Sequence, residues 1–179
     1  SSQLLTVNGT SLVNQKGLIS GWQGLTVNGD SLDNRVSGTL SSRNGDVAVD
    51  VKGALLNSDA GALVSQGSLS IKSKSLDNSN KGIISSAAGQ TLTLNESLNN
   101  NQGGLIDSGA ALDITTSALT NAGGAINAQQ AINATATPTS DGRQPVRRGA
   151  RGGCLRCRIA ATRPYPIRPA NTMTKARTI

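Results

Sequence analysis

Ser75-Leu76-Asp77-Asn78-Ser79-Asn80-Lys81-Gly82-Ile83-Ile84-Ser85 decides the fold, because edited copies of it recur through the first three quarters of the chain. Its heart is Leu, any residue, Asn, met as Leu12/Asn14, Leu32/Asn34, Leu55/Asn57, Leu76/Asn78, Leu98/Asn100 and Leu119/Asn121. The asparagines stand 20, 23, 21, 22 and 21 residues apart, and a glycine follows each three or four residues later: Gly17, Gly38, Gly61, Gly82, Gly104 and Gly124. The first two copies, Leu5-Thr6-Val7-Asn8-Gly9-Thr10-Ser11-Leu12-Val13-Asn14 and Leu25-Thr26-Val27-Asn28-Gly29-Asp30-Ser31-Leu32-Asp33-Asn34, agree at eight of ten positions. Self-similarity at a fixed short period marks a repeat array, in which each unit is stabilised by its neighbours.

Between the anchors lie period-2 pieces: Leu25/Val27, Val47/Val49/Val51, Leu69/Ile71, Leu92/Leu94 and Leu112/Ile114. They alternate with Thr, Ser, Ala, Asp or Lys, which sends one set inward and the other to solvent. A second apolar step follows each glycine, as Leu18-Ile19, Leu40, Leu63-Val64, Ile83-Ile84, Leu105-Ile106 and Ala125-Ile126. No window keeps helical spacing for more than a turn, and Gly, Ser, Asn and Thr supply the turns between steps. Three short strands and three turns in about 21 residues describe one rung of a parallel β-helix, stacked about 4.8 Å above the last. The array predicts about six rungs, a rod roughly 30 Å long. The repeated asparagines are expected to bond to one another at a common corner and to take its left-handed backbone, and the glycines are expected at positive φ. A leucine-rich repeat has a similar period, but its L-x-x-L-x-L-x-x-N order and helical half are missing.

Charge divides the 179 residues near Thr137-Pro138. Residues 1–137 hold seven Lys+Arg and nine Asp+Glu, net −2; residues 138–179 hold ten and one, net +9; the two add to the chain's +7. All five prolines, both cysteines, the Met and the Tyr lie in the second part. The first part has no Phe, Tyr, Cys or His and one aromatic, Trp22, so an aromatic-filled core is excluded. No run of about 18 apolar residues suits a membrane helix, and no basic-then-apolar signal segment opens the chain. Because Ser1 already falls inside a repeat, the chain reads as an internal piece of something longer. A cysteine-free body suits an exported protein.

Parallel β-helices also house polysaccharide-cleaving enzymes, which makes the carboxylates Asp30, Asp33, Asp46, Asp50, Asp59, Asp77, Glu96, Asp107 and Asp113 the candidates for an acid-base pair. Asp33 and Asp77 share the middle slot of the anchor two rungs apart, with Asp30 at a corner, which is the arrangement closest to a stacked acid pair. One or two acids to a rung otherwise describes a solvated strand face. The body offers no His or Cys as base, nucleophile or metal ligand, no Gly-x-Ser-x-Gly elbow and no phosphate-binding glycine loop. The reading therefore assigns no catalytic, cofactor or metal residue. Asn14, Asn34 and Asn78 are read as structural corners rather than ligand contacts. Trp22 either covers the end of the solenoid or a neighbouring rung, or offers a stacking surface to a sugar ring.

The S-L-x-N-x-x-x-G-x-I unit resembles the haemagglutinin repeats of filamentous-haemagglutinin-like exoproteins, the large adhesins and contact-dependent growth-inhibition proteins that Gram-negative bacteria export through a partner outer-membrane pore. The resemblance covers about residues 3 to 137; Ser31-Leu32-Asp33-Asn34 and Ser75 through Ile84 are its most specific segments. It implies a right-handed parallel β-helix, a secreted or cell-surface stalk, and as partners the flanking repeats, the exporter pore and a surface receptor or glycan. The family's secretion domain and any toxin or receptor-binding segment have no match here. The alternative is a fragment of a β-helix polysaccharide-acting enzyme or toxin with a basic, nucleic-acid-directed tail.

Residues 138–179 admit three readings: an arginine-rich arm that binds phosphates by charge; half a zinc or redox site at Cys154-Leu155-Arg156-Cys157, lacking its second pair; or a peptide introduced by a frame change, which the coding DNA would reveal by resuming the Leu-x-Asn grammar in another frame. Too few aliphatics for a core predict disorder in each case.

Overall fold

The computed structural model describes residues 3–136, so the expectations for the basic tail, Cys154 and Cys157 included, lie outside the described residues. Seventeen strands and no helix are found among them: β1 Leu4–Val13, β2 Leu18–Gly21, β3 Gly24–Asp33, β4 Thr39–Ser42, β5 Asp46–Val51, β6 Ala54–Leu56, β7 Ala62–Ser65, β8 Leu69–Ser73, β9 Ser75–Asp77, β10 Ile83–Ser86, β11 Gln90–Leu94, β12 Ser97–Asn99, β13 Leu105–Ser108, β14 Leu112–Thr116, β15 Ala118–Thr120, β16 Ala125–Ala128 and β17 Ile132–Ala136. Every pairing is parallel and joins a strand to its counterpart one repeat away. The chain is thus an all-β parallel solenoid of about six turns, each with three faces. One face is a separate six-stranded sheet, β2-β4-β7-β10-β13-β16. The other two meet in one 11-stranded sheet, because β3 runs unbroken round their shared corner, pairing β5 through residues 24–29 and β6 through residues 32–33.

Stacking in register turns the repeat into columns. Leu12, Leu32, Leu55, Leu76, Leu98 and Leu119 pair rung to rung along one face. Ile19, Leu40, Leu63, Ile84, Ile106 and Ile126 do so along another. The central members of both columns are fully buried, each worth about 1.5–3 kcal/mol against exposure. The doubled apolar steps resolve into one inward and one outward residue: Ile84 is buried while Ile83 faces out.

The third column carries an exception. Leu25, Val47, Leu69, Gln90 and Leu112 follow one another in register, and Gln90 is as buried as the leucines either side of it. Its Nε2 donates to the Asp107 carbonyl, but its Oε1 is buried without a partner. An orphaned buried oxygen costs about 1–3 kcal/mol. Gln90→Leu is therefore expected to raise the midpoint of urea unfolding, followed by circular dichroism, by an amount worth about 1–2 kcal/mol; an unchanged or lower midpoint would contradict this account of the site.

The corner after each asparagine departs from expectation. Neither the asparagines nor the glycines that follow them have positive φ; the residues between them do. Lys16 and Gly123 each take the left-handed conformation singly in the two three-residue corners, and Val36/Ser37, Asp59/Ala60, Asn80/Lys81 and Gln102/Gly103 take it in pairs in the four-residue corners. Backbone bonds to the next rung hold them there, among them Lys16 N–H to Val36 O at 3.0 Å and Ser37 N–H to Asp59 O at 3.0 Å. For Val36 the cost is a strained, β-branched residue at φ 55°. The glycines are needed for a different reason, lack of room. A Cβ on Gly82 would lie 2.4 Å from the Asn57 carbonyl oxygen and 2.6 Å from Asn78 Oδ1.

Candidate functional site

The asparagine column is the most regular polar feature of the molecule. Asn14 Nδ2 donates to Asn34 Oδ1 at 2.7 Å, Asn34 to Asn57 at 2.8 Å, Asn57 to Asn78 at 2.8 Å, Asn78 to Asn100 at 2.7 Å and Asn100 to Asn121 at 2.8 Å. The same amides also face the carbonyl of the glycine in their own rung and of a residue in the next, as Asn78 faces Gly82 and Leu105 at 3.1 Å each. All six are buried, so the structure places Asn14, Asn34 and Asn78 inside the rod, where they tie rungs together.

A second buried polar column, not singled out from the sequence, closes the corner where the chain leaves the six-stranded sheet for the 11-stranded one. Ser42, Ser65, Ser86 and Ser108 pair rung to rung and are buried. Ser65 Oγ lies 2.9 Å from both Gly45 O and Ser68 O and accepts from Gly67 N–H; Ser108 Oγ lies 2.9 Å from Ala111 O. Their spacings of 23, 21 and 22 residues repeat those of the asparagines, so the same periodicity would have revealed them.

The carboxylates are dispersed along the outside. Asp30 pairs with Lys52 at 2.8 Å and Glu96 with Lys74 at 3.2 Å. Asp46 accepts from Ser68 N–H at 2.7 Å, Asp113 from Asn133 at 2.8 Å, and Asp59 from the Asn80 amide. Asp77 accepts from Ser79 N–H and Asn99 Nδ2, both at 3.1 Å. The register sets Leu56 between Asp33 and Asp77, which keeps the two carboxylates about two strand spacings, roughly 10 Å, apart. They do not form a stacked pair. Among the described residues no three Asp, Glu, His or Cys side chains gather as a metal site.

Asp33 is the most perturbed acid. The guanidinium of Arg35, 2.8 and 2.9 Å away, is the main reason its pKa falls from the usual 3.8 to about 2; partial burial opposes this, and Arg35 N–H and Gln15 reinforce it. That is the wrong direction for a general acid, which needs a raised value. A carboxylate held below its unfolded-state pKa stabilises the fold above about pH 4, and this contribution is lost as pH falls toward 2. Asp33→Asn is expected to flatten the fall of the urea midpoint between pH 4 and 2 while changing little of its slope above pH 5; an identical acid limb in wild type and variant would refute this.

The remaining feature is the corner at Trp22. The indole is 45% exposed. Its Nε1 donates to the side-chain oxygen of Asn44 at 2.8 Å, with that amide turned to give both its groups partners. The guanidinium carbon of Arg43, one rung on, stands 5.8 Å from the ring centroid. Trp22, Ser41, Ser42, Arg43, Asn44, Val64 and Gln66 line a shallow depression here. Trp22 thus leans on a neighbouring rung, one of the roles expected of it, yet keeps nearly half its surface in solvent.

A family model described as haemagglutinin repeat matches residues 1–59, 43–95 and 86–151. The last match runs on past Thr137, into the basic part of the chain. No curated protein and no solved structure matches the chain.

Proposed function

Because the chain belongs to the haemagglutinin-repeat family, we propose that this segment of a filamentous-haemagglutinin-like adhesin is a non-enzymatic stalk, carried on or beyond the bacterial surface and engaged in adhesion or contact-dependent inhibition. The observation that supports this reading best is the unbroken run of leucine and asparagine columns through six rungs. Such columns make neighbouring rungs stabilise one another and favour a stiff spacer. The outward positions are short polar side chains and dispersed charges, suited to many weak contacts along a repetitive face. The partners that fit are the flanking repeats of the parent exoprotein, the outer-membrane pore of a two-partner secretion system, and a receptor or glycan on the facing cell. No helix among the described residues is long and apolar enough to cross a membrane.

The test uses the purified chain coupled to beads at graded density. Binding to host or bacterial cells that climbs steeply with density is expected, as for many weak contacts acting together. Nuclease and polysaccharide-lyase activity is expected to stay at background. Turnover above background, lost with the carboxylates, would replace the stalk by an enzyme fragment.

A further inference from the structure

The Trp22 corner has the composition of a recognition site. An exposed indole is costly to keep in water, and Trp and Arg are the residues over-represented where binding energy concentrates. Here the indole is fixed rather than loose: Asn44 holds its Nε1 and Arg43 stands against its face. Arg43 forms no ion pair among the described residues, so no carboxylate neutralises its charge. Backbone bonds lock the corner, with Arg43 N–H to Gly21 O at 3.1 Å, Asn44 N–H to Trp22 O at 2.8 Å and Gln66 N–H to Ser42 O at 3.3 Å. Indole, guanidinium and the Gln66 amide therefore rise on three consecutive rungs, over a span of about 10 Å.

We propose that this corner is a binding site for an acidic sugar, a pyranose carrying a carboxylate. The ring would lie with its C–H face on the open part of the indole, a large and rigid apolar surface with a polar rim. The carboxylate would take the guanidinium of Arg43 in a two-pronged, charge-assisted contact. The side chains of Asn44 and Gln66 would meet the hydroxyls. The depression, about 440 Å³ and open to solvent, falls in the usual size range for small-ligand sites, roughly 300–1,000 Å³. Its mixed lining, the indole and Val64 beside Ser41, Arg43, Asn44 and Gln66, suits a sugar better than a wholly apolar ligand. The proposal rests on the adhesive reading above and names one contact of that adhesin.

Trp22 is the only tryptophan in the sequence, so its fluorescence reports this corner alone. Titration of the whole chain with 3′-sialyllactose is expected to give a saturable change in Trp22 emission, and lactose a response at least about ten-fold weaker in affinity, the size of a single charge-assisted contact. Arg43→Gln is expected to erase that preference without moving the thermal midpoint by more than a degree or two. Trp22→Leu is expected to abolish binding to a sialylated surface. Equal affinity for the neutral and acidic sugars, or no saturable change for either, overturns the site. If cells still bind the wild-type beads in that event, the site alone falls; if they do not, the adhesive reading falls with it.

Discussion

Asn78→Ala is expected to be the most damaging truncation in the rod. Asn78 sits in the middle of the amide column: its Oδ1 accepts from Asn57, and its Nδ2 serves Asn100 Oδ1 and the carbonyls of Gly82 and Leu105. Alanine would orphan polar atoms on both neighbouring rungs, all in a buried corner. At about 1–3 kcal/mol for each buried group left without a partner, the loss comes to about 3–5 kcal/mol. Asn14→Ala, at one end of the column where one amide–amide bond is lost instead of two and the carbonyl contacts to Gly17 and Thr39 are only partly buried, should cost about 1–2 kcal/mol. Urea midpoints for the two variants measure the contrast. Equal losses would mean that the column does not act as a connected unit.

Gly82→Ala is the second large effect, and it separates two explanations of a glycine. Gly82 has an ordinary negative φ, so the backbone itself would accept alanine. The obstacle is the Asn57 carbonyl of the rung before, 2.4 Å from the new methyl, with the carbonyl and side-chain oxygens of Asn78 at 2.9 and 2.6 Å. Two of these three atoms are backbone, and backbone cannot swing aside, so a cost of about 3 kcal/mol is expected. Gly103 is the converse: its φ is +80° and a Cβ there meets nothing nearer than 3.6 Å. Gly103→Ala should cost only the left-handed penalty, about 1 kcal/mol. Thermal unfolding of the pair decides between the explanations, and Gly103→Ala proving the worse of the two would reverse the assignment.

That contrast also shows which parts of the molecule could be read in advance. A column of identical side chains writes the same letter once per rung, so the leucines and asparagines announced the three-faced solenoid and its period. Backbone conformation at the corners was hidden, because Lys16, Val36, Asp59, Asn80 and Gln102 have nothing in common except place. Neighbouring rungs impose the left-handed turn through N–H to carbonyl bonds, and residue preference is overruled. The glycines stand out by their spacing, but spacing does not distinguish a left-handed turn from a lack of room, and the crowding carbonyl lies one rung away. Gln90 was overlooked for the opposite reason. It is the lone polar substitute in an aliphatic column, and a search for recurring letters passes over the place where one is replaced.

At the Trp22 corner the residue was conspicuous by composition but its company was not. Arg43 lies 21 positions downstream, and only the stacking of one turn on the next brings its charge against the indole. The acids failed as a pair for the same geometrical reason: Asp33 and Asp77 share a slot, yet Leu56 occupies the rung between them.

Every amide in the asparagine column points its hydrogens toward the C-terminal side and its oxygen the other way, so the column is a vector as well as a tie. At the last described member, Asn121, the Nδ2 is buried and meets no acceptor among the described residues. Whatever extends the rod beyond that point has to arrive oxygen first. Two such rods could be spliced in the same sense without loss, whereas splicing them in opposite senses would set hydrogen against hydrogen or oxygen against oxygen.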